Sequence, residues 1–231
     1  VIGFDPIYLL FLLPGLALSF WANSRVKSTF KRYARVSSRK GWTGAEAARE
    51  LISKRGIAGV VVEETPGFLS DHYDPGARRL RLSPEVYHGR SLAALGVAAH
   101  EAGHAIQHAT SYGPLRFRSW VVRPAMIGSN FGTLLAGVGV ALQSTGLVWV
   151  GIVLFSAFVI FTLITLPVEF DASNRAVLAL EQGGMIYADE VPGARAVLRA
   201  AAMTYVAAAV SAILQLLYFL MRSGILGGRR D

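Results

Sequence analysis

The sequence predicts a mainly α membrane protein, with about four transmembrane helices and a polar α+β domain carrying a small sheet. Three observations predict it. Of 231 residues, 53% are hydrophobic and 16% charged, a more apolar balance than soluble globular chains carry. Four apolar segments approach, with their flanks, the roughly 20 residues that cross a bilayer. Between the first and second of them, over residues 42–122, apolar positions recur at helical or alternating spacing instead of running unbroken. Cysteine is absent, so disulfides and thiolate metal ligands are excluded, and any metal must be held by His and carboxylate.

The first span is Ile7 to Trp21, preceded by Asp5-Pro6 and closed by an interfacial Trp. Positive charge follows this stretch instead of preceding it, and Trp21-Ala22-Asn23 is a poor cleavage site, so an uncleaved anchor is expected over a signal peptide. Because the sequence begins at Val1, a short natural N-terminus is expected ahead of it. Arg25, Lys27, Lys31, Arg32, Arg35, Arg39 and Lys40 follow with no acidic residue between Asn23 and Gly41, which places this side in the cytoplasm beside anionic lipid. A basic run also suits nucleic acid, but an adjacent span and the lack of an aromatic stacking platform favour membrane lipids as partners and exclude nucleic acid.

Thr43-Gly44-Ala45-Glu46 is a capping box that opens a helix through Leu51-Ile52, ended by Gly56. Gly59 to Glu63 is β-branched and reads as a strand, and Arg79 to Leu82 alternates as a second, with turns at Pro66-Gly67 and Asp74-Pro75-Gly76. Ser83-Pro84-Glu85 begins a short helix, and a longer one starts near Ser91. Met126 to Leu142 and Leu147 to Leu166 form a transmembrane hairpin around Gln143-Ser144-Thr145-Gly146. Gly128, Gly132, Ala136 and Gly139 recur at three- and four-residue spacing and suit close helix approach. Met203 to Met221 is the fourth span, its Thr204, Ser211 and Gln215 expected to hydrogen-bond neighbouring helices. Four spans put Arg222, Arg229 and Arg230 outside, against the charge rule, and the larger cluster after the first span decides the orientation.

The helix from Ser91 carries His100-Glu101-Ala102-Gly103-His104. Residues four apart share a helical face, so both imidazoles reach one ion while Glu101 points to its open side. This spacing arises by chance in some helices. Here the lead-in Ser91 to Ala99 is small and apolar, so the helix is buried, and buried ionisable groups are costly unless paired or metal-bound. Zinc at this position activates water and polarises a scissile carbonyl, with Glu101 as general base. The polar domain therefore reads as a zincin-like α+β metalloprotease domain. An edge strand beside the helix would hold an extended peptide by β-addition.

The third ligand must come from elsewhere. His108 lies eight residues past His100, about 800° of helical advance and roughly 80° off register. The metzincin pattern needs a histidine where Thr110 stands. Glu169, in Leu166-Pro167-Val168-Glu169-Phe170-Asp171-Ala172-Ser173-Asn174-Arg175, is a better candidate, since a carboxylate at the end of an apolar span is expensive without a partner. A plain alternative is that Glu169 and Asp171 cap a helix beginning there or pair with Arg175. For oxyanion stabilisation His72, Tyr73, His108 and Arg175 are candidates by type.

Ser70 to Pro75, Leu80 to Ser83, Ala93 to Gln107 and Leu166 to Ser173 together resemble the YugP-like family of bacterial membrane zinc metallopeptidases, over nearly the whole chain. More distantly the chain looks like HtpX and the CAAX prenyl proteases, gluzincins whose third ligand is a Glu on a later helix. That resemblance implies Glu169 as ligand, one Zn2+ per chain and a bacterial inner-membrane location, while the basic run after the first span turns the site to the cytoplasm. HtpX-type enzymes carry an Asp four residues after that Glu, where this chain has Ser173, so Asp171 or Asn174 is expected to orient a histidine instead.

The expected organisation is an anchor over 1–22, a basic juxtamembrane segment over 23–41, the metalloprotease domain over 42–122, the hairpin over 123–166, a cytoplasmic segment with the third ligand over 167–202, a last span over 203–221 and a tail over 222–231. The expected activity is zinc-dependent endopeptidase cleavage of peptides or membrane proteins at the cytoplasmic membrane face. The alternative is a catalytically silent zinc-binding scaffold. An intramembrane site-2-type protease would want the histidine motif within a span and an Asn-Pro-Asp-Gly partner, and both are missing. A transporter would carry ionisable residues mid-span, and Ile127 to Leu166 has none.

Overall fold

A computed structural model describes residues 5–224. The elements run α1 (Pro6–Tyr33), α2 (Gly44–Lys54), β1 (Val61–Glu64), β2 (His72–Asp74), β3 (Arg79–Leu82), α3 (Pro84–Tyr87), α4 (Leu92–Ala109), α5 (Gly113–Ile127), a π-helical turn (Gly128–Gly132), α6 (Thr133–Ala141), α7 (Thr145–Gln182) and α8 (Val191–Arg222). Four helical stretches are long and apolar enough to cross a membrane, namely Pro6–Ala34, Gly113–Ala141, Thr145–Gln182 and Val191–Arg222. The protein is thus mainly α with a small three-stranded sheet. Each helix extends beyond the apolar run that announces it, because hydropathy marks lipid-compatible length while backbone hydrogen bonding continues into polar sequence. Helix α7 also passes through Pro167 instead of restarting there.

The chain divides into two compact units. Among the described residues, the first comprises 5–22, 116–167 and 204–224. In its hairpin, glycines let backbones meet: a Cβ on Gly128 would lie 2.0 Å from the Leu154 carbonyl oxygen, and one on Gly132 2.6 Å from the Phe155 nitrogen. The expected close approach is realised, as membrane helices without a hydrophobic drive between them require. The start of α1 meets the end of α8. Tyr218 donates to Asp5 Oδ2 at 2.8 Å, and Arg222 Nε lies 3.4 Å from the same oxygen, so this basic residue at the end of α8 is paired.

The second unit comprises 23–115 and 168–203. Thr43 caps α2 reciprocally with Glu46, as the sequence signals. The sheet order is β1-β3-β2, with β1 parallel and β2 antiparallel to β3. Strand β2 is absent from the sequence reading because His-Tyr-Asp offers three residues and no apolar alternation. Asp74 Oδ1 accepts from the Gly76 and Ala77 nitrogens and makes the turn to β3. Ser83 stands at the N-cap of α3, but its hydroxyl donates to Asp71 instead of capping. Leu80, Leu82, Val86, Leu95, Leu180 and Met185 are fully buried, packing α2, α4 and the end of α7 around one core.

Candidate metal centre

Helix α4 starts where Ser91 accepts from the Ala94 nitrogen and is almost entirely buried, so its histidines face protein on a rigid element. Gly103 sits where α7 passes. A Cβ there would be 2.8 Å from the Ala172 carbonyl oxygen, so only glycine lets the two helices come this close. That approach brings Glu169 to the histidines. His100 Nε2 lies 3.2 Å and His104 Nε2 3.5 Å from Glu169 Oε2, and the three donor atoms fall within 4.8 Å of one another. Glu169 is 2% exposed and each imidazole 12% exposed. Two ring nitrogens and one carboxylate oxygen, all oriented inward, are a donor set of the type zinc takes in catalytic sites. The residues therefore fit the ion, and Glu169 neither caps a helix start nor pairs with Arg175.

The remaining ring nitrogens are held by the protein. Ser173 Oγ lies 3.2 Å from His100 Nδ1, so the residue that departs from the HtpX pattern still reaches the histidine. His104 Nδ1 lies 3.0 Å from Gln107 Oε1. Gln107, fully buried, donates through Nε2 to the Val168 carbonyl oxygen and to Asp171 Oδ2, each at 2.8 Å. Asp171 also accepts from Arg175 Nε at 2.5 Å, and Arg175 stacks over Tyr112. Asp171 is thus linked to His104 only through Gln107. Asn174 is exposed and lies outside this network.

Glu101 is 8% exposed, beside His104. Burial works to lower the His104 pKa, but its hydrogen bond to Glu169 and the charges of Glu101 and Glu169 outweigh that and raise it. Asp71 is raised above the ordinary carboxylate value by burial, with the Glu101 charge adding to it against the Ser83 hydrogen bonds. The other sequence candidates are engaged with partners other than the three donors. His72, exposed on β2, bonds through Nδ1 to the Ser70 carbonyl oxygen. Tyr73 Oη lies 2.9 Å from His108 Nδ1, so these two pair with each other. Arg175 is committed to Asp171.

Gln107 and Asp71 escaped the sequence reading. Position 107 follows His104 by three, the spacing at which helical side chains meet, and that was the available signal. Asp71 gave none, because its contact with Ser83 spans a turn and two strands.

Residues 8–224 match the profile of a family described as "Putative neutral zinc metallopeptidase". The chain is also similar to a Bacillus subtilis (strain 168) protein named "Putative membrane protease YugP", with 46% identity over 215 residues, covering 93% of this chain and 96% of that protein. No solved structure is significantly similar to it.

Proposed function

The chain belongs to this zinc metallopeptidase family, and from that premise we propose that it is a membrane-embedded, gluzincin-type endopeptidase holding one zinc ion per chain on His100, His104 and Glu169. The observation that carries the proposal is the buried Glu101 beside a donor set of two imidazoles and one carboxylate. A structural site has no use for such a carboxylate.

When bound, zinc supplies a Lewis acid that lowers the pKa of water and polarises a carbonyl. The chain's own residues do the rest. Glu101 accepts the proton of the attacking water and returns it to the leaving amine. Gln107 and Ser173 hold the two imidazoles so that Nε2 faces inward, and the α4–α7 packing at Gly103 keeps Glu169 in register with them. Strand β2 is a sheet edge in contact with α4, and an extended substrate adds to it by main-chain hydrogen bonds, presenting its scissile bond to the helix.

The basic run from Arg25 to Lys40 supports a site on the cytoplasmic face of the bacterial inner membrane, with membrane proteins and membrane-proximal peptides as the proposed substrates. Cleavage of a quenched peptide library by the purified chain in detergent tests the proposal: activity abolished by a chelator and restored by zinc supports it. Zinc binding at one ion per chain with no cleavage of peptide or membrane-protein substrates favours the silent scaffold.

A further inference from the structure

The second unit holds another concave site. A cleft of about 450 Å3 opens between the end of α2, the β2–β3 turn and the last turns of α4. Arg55, Arg78, Tyr73, His108, Val60 and Ile106 form much of its wall, and no Asp or Glu lines it. Among the described residues neither Arg55 nor Arg78 forms an ion pair, whereas the adjoining strand residues do: Arg79 and Arg81 both pair with Glu63, and Arg81 also with Asp74.

With 23 Lys and Arg against 15 Asp and Glu, some cations go unpaired by number alone. Convergence of two in one cleft with a phenol and an imidazole is a different matter. The cleft also receives two helix C-termini, since Arg55 is the C-cap of α2 and Thr110, the C-cap of α4, lies on its wall. Each contributes roughly −0.5 of a charge against about +2 from the guanidiniums, which leaves a net positive site of about +1. Its position ties it to the reaction. Tyr73 belongs both to the cleft and to edge strand β2, and His108 lies one turn beyond His104 on α4.

We propose that this cleft is a substrate subsite that binds a carboxylate of the peptide cleaved at the metal centre, from an acidic side chain or a free C-terminus. It rests on the peptidase assignment. Guanidinium groups take a carboxylate through charge-assisted, often bidentate hydrogen bonds, and the Tyr73–His108 pair, beyond its mutual bond, leaves a further donor on the cleft wall.

The test uses the full chain in detergent with zinc, as wild type, as the double variant Arg55→Gln/Arg78→Gln and as Arg78→Glu, with zinc content reporting an intact fold. Quenched peptide pools carry Glu, Gln or Lys fixed at each position in turn, with either a free or an amidated C-terminus. Wild type is expected to favour Glu over Gln about tenfold or more at one position, the discrimination that a hydrogen bond to a charged group supports. The preference collapses in the double variant and turns toward Lys in Arg78→Glu. A preference for the free over the amidated end identifies the C-terminal carboxylate as the ligand, and an internal Glu preference identifies the side chain. Equal handling of Glu and Gln and of both ends, or discrimination that survives the double variant, overturns the proposal. Equilibrium binding of the same peptides to the Glu101→Gln protein separates the two readings. Selective binding lost in the Arg55→Gln/Arg78→Gln background supports the subsite even where wild type cleaves nothing, and unselective or absent binding sinks it.

Discussion

Gln107 Oε1 stands 3.0 Å from His104 Nδ1, and this contact decides which imidazole nitrogen faces Glu169. The amide nitrogen of Gln107 is committed to two acceptors, the Val168 carbonyl oxygen and Asp171, so the amide oxygen must face the ring and Nδ1 must carry hydrogen. Nε2, the atom 3.5 Å from Glu169 Oε2, is then the nitrogen whose lone pair the neutral ring would offer an ion. One buried side chain thereby sets a tautomer on α4 and ties it to the α7 residues flanking Glu169.

Replacing Gln107 with Leu should therefore weaken zinc binding by roughly 10–100-fold, the usual cost of losing a ligand's supporting partner. Gln107→Glu keeps an acceptor for Nδ1 but gives up both donated bonds. It should bind zinc more tightly than Gln107→Leu and less tightly than wild type by competition with a chromogenic chelator. Equal losses in the two variants would show that orientation of His104 is not what Gln107 supplies.

Glu169→Ala removes a ligand outright and should leave a chain that folds but retains no zinc through gel filtration. Stoichiometric zinc in this variant, measured by atomic emission, would remove Glu169 from the ligand set.

Gly103→Ala places a methyl 2.8 Å from the Ala172 carbonyl oxygen, so α4 and α7 must separate. Overpacking of this kind costs about 1–3 kcal/mol, and the separation should lower zinc affinity as well. Thermal unfolding and zinc titration should shift together. Lower stability with unchanged affinity would mean that the helix spacing does not set the donor geometry.

Much of this was legible because it is local. The capping box at Thr43, the N-cap at Ser91 and the His100–His104 spacing are decided within four residues, and each stands where the sequence places it. Glu169 was reachable through the cost of a carboxylate after an apolar run. The link from Asp171 through Gln107 to His104 was not, because it joins residues 64 positions apart and depends on how closely α7 passes Gly103. The cleft walled by Arg55 and Arg78 was hidden for the same reason, since three separate elements enclose it.

Thr43→Ala should destabilise the second unit by about 1 kcal/mol through loss of the α2 cap. The Glu46 pKa is lowered from 4.5, first by its bond to the Thr43 backbone, so its contribution is present above the unfolded value and is lost as pH falls through the folded one. The stability gap between wild type and Glu46→Ala, which loses that carboxylate bond, should accordingly narrow below about pH 4.5 in denaturant titrations. A gap that stays constant to pH 3 would separate the Glu46 bond from the cap.

The most direct test compares wild type with Glu101→Gln for zinc content and peptide cleavage in the same detergent preparation. Full zinc occupancy with cleavage reduced by several orders of magnitude is the predicted result, since Glu101 moves a proton and binds no metal. Cleavage undiminished in Glu101→Gln would contradict the account, because the buried carboxylate beside the donor set would then have no part in the chemistry.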